Sequence, residues 1–241
     1  MIATPGKFTR RLYLPSFSCI TCSMSFTGII FDLDGTLLNT IDDLADSCNR
    51  QLEKYGFPTH PAEAYRYFVG NGVVKLVERA LPDSREAHSI LNTFIRDFRA
   101  DYKEHCFDKT RPYPGILELL ERLRRDGMIL AVLSNKPDAE TKKVVRYFFP
   151  KEQFHCAAGH KEEFDVKPDP AGVRAILKKL DLKPEDTAFV GDTWIDMQTA
   201  VNSGCFPVGI LWGFRDRKEL EEAGARRIAA TAEELYSILR S

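Results

Sequence analysis

The chain has 241 residues, 44% of them hydrophobic, and 34 Lys and Arg against 35 Asp and Glu, for a formal net charge of -1. This is enough apolar material for one large domain or for a core with an insertion. The charge balance excludes a nucleic-acid binder that relies on a basic surface, and no apolar run is long enough to span a bilayer.

The first 27 residues contain no acid and carry Lys7, Arg10 and Arg11. Pro5 and Pro15 interrupt any amphipathic helix there. Residues 1–24 are therefore expected to form a disordered extension, or to precede a natural start at Met24, rather than to act as a presequence. The 6 cysteines (Cys19, Cys22, Cys48, Cys106, Cys156 and Cys205) are scattered. Such spacing reads as reduced thiols in a cytoplasmic protein, with the Cys19–Cys22 pair a chance proximity.

The first strand is expected over Gly28–Asp32, and it ends in Asp32-Leu33-Asp34-Gly35-Thr36. Alternate residues of an extended chain point the same way, so Asp32 and Asp34 can face one point. Two carboxylates that close repel unless something binds them, and paired acids at a strand end suit a hard cation together with a covalent or acid–base role. From Thr40 to Arg111 the strand signals stop. Ile41, Leu44, Ala45, Cys48 and Leu52 repeat at helical spacing behind a Thr40/Asp43 start signal, Val73, Val74, Leu76 and Val77 form a second stripe, and Ala87, Ile90, Leu91, Phe94 and Phe98 a third. Arg111-Pro112-Tyr113-Pro114-Gly115 is a stiff return linker. After it, strands are expected over Met128–Leu133, Phe154–Ala158, Thr187–Val190, Phe206–Leu211 and Arg227–Ala229, mostly separated by helical patterns. Strand–helix alternation implies an α/β fold: a doubly wound, mostly parallel sheet covered on both faces. The division expected is an α/β core of residues 25–39 and 112–241, with an inserted helical cap of residues 40–111.

Three more polar clusters fall where strands should end or helices begin: Ser134-Asn135-Lys136, Lys167-Pro168-Asp169, and Gly191-Asp192 through Asp196. Ligands of open α/β sheets bind beyond the carboxyl ends of the strands, so the four clusters should converge there. Ser134 offers a hydroxyl, Asn135 a side-chain amide that can support the loop, and Lys136 reads as a solvated neighbour. Pro168 should hold Lys167 extended and so aim its side chain. None of the histidines has convincing metal-ligand spacing, and Trp194 and Trp212 read as packing anchors.

With these motifs in this order, the sequence resembles the haloacid dehalogenase superfamily of phosphotransferases over nearly everything from Ser25 onward. Asp32-Leu33-Asp34-Gly35-Thr36 matches the nucleophile motif; Ser134, Lys167 and the Asp192/Asp196 pair match the second, third and fourth motifs. Within the superfamily the chain is most similar to the phosphoglycolate phosphatase group, because Phe68-Val69-Gly70-Asn71-Gly72-Val73 resembles its cap specificity loop. The resemblance implies a Rossmann-like core with a cap domain. It also implies that Asp32 attacks phosphorus, that Asp34 protonates the leaving alkoxide and then deprotonates water, and that Lys167 offsets phosphate charge. Mg²⁺ would be held by Asp32, the Asp34 carbonyl and Asp192, with Asp196 ligating directly, through water, or by anchoring a neighbour. Gly70, Asn71, Gly72, Ser134, Asn135 and Lys167 would contact substrate. Arg66, Lys75 and Arg79 are candidates to meet a substrate carboxylate. Asn39 departs from the aspartate common in relatives. The activity implied is hydrolysis of a small phosphorylated metabolite, 2-phosphoglycolate foremost, by a monomer or homodimer with no nucleic-acid or membrane partner. Pyrophosphatase, nucleotidase or another sugar-phosphate phosphatase stays open, as does a noncatalytic regulatory binding protein.

Overall fold

The structure, a computed structural model, describes residues 26–161, 163 and 165–241. The expectations for residues 1–24 and the Cys19–Cys22 pair lie outside that range. Cys48, Cys106, Cys156 and Cys205 are buried free thiols.

β1 (Gly28–Phe31) is the centre of a six-stranded sheet whose other strands are β4 (Ile129–Pro137), β5 (Cys156–His160), β6 (Thr187–Gly191), β7 (Phe206–Ile210) and β8 (Arg227–Ala229). The order is β5-β4-β1-β6-β7-β8 and every pairing is parallel. The chain leaves β1 toward β4 on one side and later returns to β6 on the other. β1 is therefore the switch point, and the crevice beyond its carboxyl end is where such sheets bind ligands.

Strand alternation divides the core. Ile29 and Phe31 join a cluster with Ile116, Leu119, Leu120 and Leu123 of α5 (Ile116–Arg125) and with Leu235 and Leu239 of α10 (Ala232–Leu239). Ile30 joins the opposite cluster with Phe189, with Val173, Ile176 and Leu177 of α7 (Ala171–Leu180), and with Ala200 of α8 (Trp194–Ser203). Each fully buried aliphatic or aromatic side chain contributes roughly 1.5–3 kcal/mol, so both faces hold the sheet between helices. α6 (Asp138–Phe148) follows β4 and α9 (Arg217–Glu222) follows β7; the sequence reading assigned neither, because their buried stripes are short.

Between the sheet strands, four helices fill the stretch expected to be helical: α1 (Ile41–Lys54), α2 (Ala62–Phe68), α3 (Val73–Ala80) and α4 (Arg85–His105). α2 was not anticipated, since Tyr65 is its one buried residue. The chain crosses into and out of this segment through β2 (Leu38–Asn39) and β3 (Arg111–Pro112), paired antiparallel side by side. The start of α1 differs from its expected signal. The Thr40 side chain makes no capping bond; Asn39 Oδ1 instead accepts from Ile41 N at 3.4 Å. Asp43, buried, accepts from Lys109 N at 2.9 Å, Thr110 N at 2.9 Å and Thr110 Oγ1 at 2.7 Å, tying the start of the segment to its end. Among the described residues no helix is long and apolar enough to cross a membrane.

Candidate active site

β1 stops at Phe31, but Asp32 N still donates to Val190 O at 2.9 Å, so the carboxylate leaves the sheet in register at the switch point. The chain then turns through Gly35, whose φ is +89°. A side chain there would meet both a strained backbone and Asp192, because an added Cβ would lie 2.4 Å from Asp192 Oδ2. The tight turn thus brings the first motif against the fourth. Thr36 Oγ1 donates to Asp192 Oδ1 at 2.8 Å, and Phe214 N donates to Asp192 Oδ2 at 2.9 Å. Thr36 and the Phe214 amide were not singled out from the sequence as partners of Asp192. Only the tertiary fold joins them to it.

Lys167 is buried between two acids, its Nζ 2.8 Å from Asp32 Oδ1 and 2.7 Å from Asp196 Oδ1. Burial pulls this ammonium down, but Asp196 and Asp32 outweigh it and hold Lys167 above its ordinary value. Its backbone N–H donates to Asn135 Oδ1 at 2.7 Å, and the Lys167–Pro168 peptide is cis, a geometry the sequence reading did not anticipate. Asp196 Oδ2 accepts from Thr193 N at 3.1 Å and Thr193 Oγ1 at 2.7 Å, closing a capping box at the start of α8. Asp196 is therefore both a helix cap and the anchor of Lys167.

Asp32, Asp192 and Asp196 are all buried, and one carboxylate oxygen from each lies within 4.8 Å of the others. Burial, then the charge of Asp196, pushes Asp32 well above the carboxylate range despite Lys167. The same two causes push Asp192 up to about 7, against the Phe214 amide and Thr36 hydroxyl that favour its charged form. An all-oxygen, mutually repelling set of this kind fits a hard divalent cation, which would relieve both penalties at once.

β4 loses its regular pairing with β5 between Leu133 and Pro137, and Ser134, Asn135 and Lys136 lie in that irregular stretch. Ser134 Oγ accepts from Lys136 N at 3.2 Å; among the described residues no acceptor takes its proton, which stays available to a ligand. Asn135 Nδ2 donates to Gly70 O at 2.9 Å and to Lys167 O at 3.1 Å, so it braces the loop above the site and the Lys167 backbone together. Lys136 is not solvated as expected. It is buried, with Nζ 3.1 Å from Asp34 Oδ1 and 3.0 Å from Tyr102 Oη on α4. Strand alternation from Ser134 was the available signal for its inward course. Nothing local in the sequence announced Tyr102 as its partner, although it continues the Phe98 stripe by one helical turn.

A cavity of about 60 Å³ joins these groups. Its core walls are Asp32, Asp34, Ser134, Asn135, Lys136 and Lys167, and the inserted helices close it with Gly70, Gly72, Val73, Leu76, Phe98 and Tyr102. Asn71, expected beside the substrate, is turned away, its Oδ1 accepting from Arg79 Nη2 at 2.7 Å. The other cations considered are also engaged elsewhere: Arg79 on Tyr67 O and Phe68 O, Lys75 on Glu78 at 2.6 Å, and Arg66 on Gly213 O at 3.3 Å. Trp212 is half-buried and donates to Thr36 O at 3.0 Å, while Trp194 is 37% exposed and so anchors less than expected.

Comparison with known proteins agrees with this geometry. The model of the family described as haloacid dehalogenase-like hydrolase matches residues 29–210. Phosphoglycolate phosphatase of Mannheimia succiniciproducens is 35% identical over 78% of this chain and 87% of its own length. Phosphoglycolate phosphatase of Haemophilus influenzae is 31% identical over 89% of this chain and 98% of its own. Among solved structures, a Lactobacillus delbrueckii protein assigned as a phosphoglycolate phosphatase superposes with a TM-score of 0.85 at 32% identity, covering 90% of this chain and 100% of that one. The motifs, the sheet order and these matches agree, and the chain belongs to the haloacid dehalogenase-like hydrolase family.

Proposed function

We propose that this chain is a Mg²⁺-dependent phosphatase that hydrolyses a small phosphomonoester, 2-phosphoglycolate foremost, through a phospho-aspartyl intermediate. The observation that carries the reading is the meeting of Asp32, Asp34, Ser134 and Lys167 around one small cavity, with Lys167 Nζ 2.8 Å from Asp32 Oδ1. The names of the relatives support the choice of substrate.

In this reading Asp32 attacks phosphorus as the ester oxygen leaves, and the displacement is split into two easier steps. Lys167 holds Asp32 in place and offsets charge on the phosphoryl group, to which Ser134 donates its proton. Asp34, two residues on and against Lys136, gives a proton to the departing alkoxide and takes one from the water that then attacks the intermediate. Asp32, Asp192 and the Asp34 carbonyl would hold the metal, which when bound would offset the repulsion between an anionic nucleophile and an anionic phosphate. Asp196, with both oxygens engaged, serves through Lys167. Residues 40–111 act as a cap on a core of residues 25–39 and 112–241, in a cytoplasmic monomer or homodimer. The apolar walls that Val73, Leu76 and Phe98 present beside the polar groups suit a short organic tail.

The test is phosphate release from a panel of phosphomonoesters and pyrophosphate, with and without Mg²⁺. We expect Mg²⁺-dependent release from short esters, and Asp32→Asn should abolish turnover with an unchanged circular dichroism spectrum. Full activity in that variant, or no release from any ester, would overturn the reading.

A further inference from the structure

We propose that Lys136, positioned by Tyr102, is the specificity residue that receives a second anionic group on the substrate, a carboxylate close to the ester oxygen. The inference rests on the phosphatase reading above and adds to it the residue that selects the carboxylate.

A buried ammonium is costly unless it is paired and hydrogen-bonded. Lys136 has a 6% exposed side chain and two partners, Asp34 Oδ1 at 3.1 Å and Tyr102 Oη at 3.0 Å. An ammonium has three N–H donors; Tyr102 takes one and the Asp34 contact is an ion pair not aligned as a hydrogen bond, so the third donor at least is free for a ligand. The cavity wall divides by role. Ser134 and Lys167 serve the phosphoryl end beside Asp32, whereas Lys136 lies against Asp34, the group assigned to the leaving oxygen. In a phosphorylated 2-hydroxy acid the carboxylate sits two bonds beyond that oxygen, roughly 3 Å away. A cation in contact with Asp34 is therefore within reach of it. Arg66, Lys75 and Arg79 do not line the cavity; of the cations that do, Lys167 serves the phosphoryl end and Arg99 is exposed, while Lys136 lies against Asp34, so the choice falls to Lys136. Glu140 lies on the same wall and opposes a tail carrying more than one negative charge. A bare apolar tail would leave the third donor of Lys136 unpaired, which penalises uncharged esters.

The test compares kcat/KM for 2-phosphoglycolate with that for ethyl phosphate, which has the same reach and no charge on its tail. Wild type should prefer 2-phosphoglycolate. Lys136→Met should lower that preference by roughly 30-fold or more, chiefly through KM, and Tyr102→Phe should lower it less. Lys75→Met should leave it unchanged. A measurement on wild type alone is independent of how the variants fold: 3-phosphonopropionate should inhibit more tightly than propylphosphonate. Equal losses on both esters in Lys136→Met, or equal inhibition by the two phosphonates, would show that Lys136 only steadies Asp34 and would end this proposal while leaving the phosphatase reading intact. Hydrolysis of neither ester, nor of any other, would end both.

Discussion

Asp192 is ringed by donors, the Thr36 hydroxyl and the Phe214 amide, yet burial and the nearby charge of Asp196 still push its carboxyl up to about 7 from an ordinary 3.8. A carboxyl raised on folding stabilises the fold fully below its unfolded value, and that stability is lost as pH climbs through the folded value. The metal-free protein should therefore lose stability between pH 4 and pH 7 as far as this group decides it. A cation that needs the deprotonated acids would reverse the penalty where it is greatest. The rise in melting temperature on adding Mg²⁺ should thus be larger at pH 8 than at pH 5.5, as read by differential scanning fluorimetry in matched buffers. A Mg²⁺ shift that is largest at the acid end would contradict this account of Asp192. Lys167 illustrates the same logic with the opposite sign of charge, since two carboxylates keep it protonated at the centre of the site.

The elements carry this chemistry because their ends are built from groups that serve the site as well as the fold. Asp196 caps α8 through Thr193 and anchors Lys167 with its other oxygen. Asp43, near the start of α1, does not serve as a helix-start partner for Thr40; it closes the loop after α4 with three hydrogen bonds to Lys109 and Thr110. Removing that carboxylate leaves the buried Thr110 amide and hydroxyl unpaired, at about 1–3 kcal/mol for each group. Asp43→Ala should accordingly lower stability by roughly 2–4 kcal/mol in urea unfolding. Amide exchange should speed up first around residues 106–112. A loss below about 0.5 kcal/mol, within the range of ordinary surface substitutions, would mean that water replaces the carboxylate there.

For the whole molecule, the question is what holds the inserted helices over the sheet. Polar contacts do so beside the apolar packing, among them Lys136 Nζ donating to Tyr102 Oη and Lys143 Nζ to Lys103 O. Asn135 Nδ2 donates to Gly70 O, Arg66 Nη2 to Gly213 O, and the half-buried Arg215 guanidinium to Arg66 O and Val69 O. The two crossings through β2 and β3 are short and adjacent, a geometry suited to rigid-body opening and closure. Arg215→Ala removes a polar tie made only when the helices sit against the core. We expect KM to rise roughly two- to tenfold with a smaller change in kcat, and the radius of gyration from solution scattering to increase without ligand. An unchanged KM and scattering profile would show that the Arg215 tie does not set the position of these helices.

Much of this was legible along the chain. Strand–helix alternation, the break after Asn39 and the return near Pro112 are local patterns of apolar spacing and of Pro and Gly, and they correspond to the sheet and the helices observed. Asp32, Asp34, Ser134 and Lys167 stood out because paired acids repel unless something binds them and because the polar clusters should converge beyond the carboxyl ends of the strands. What one dimension could not carry was the direction and partner of each side chain. Lys136 looked exposed because a lysine usually is, yet β4 turns it inward to meet Asp34 and a tyrosine from α4. Asn71 looked like a substrate contact because it sits between two glycines, but the loop gives its amide to Arg79. Sequence alone determined which segments form strands and helices and which residues bear reactive groups, since both depend on chemistry within a few neighbouring positions. Only the tertiary structure decided how the charges are shared among Asp32, Asp192, Asp196 and Lys167. Electrostatic energy depends on distance and burial, and those are set where distant parts of the chain meet.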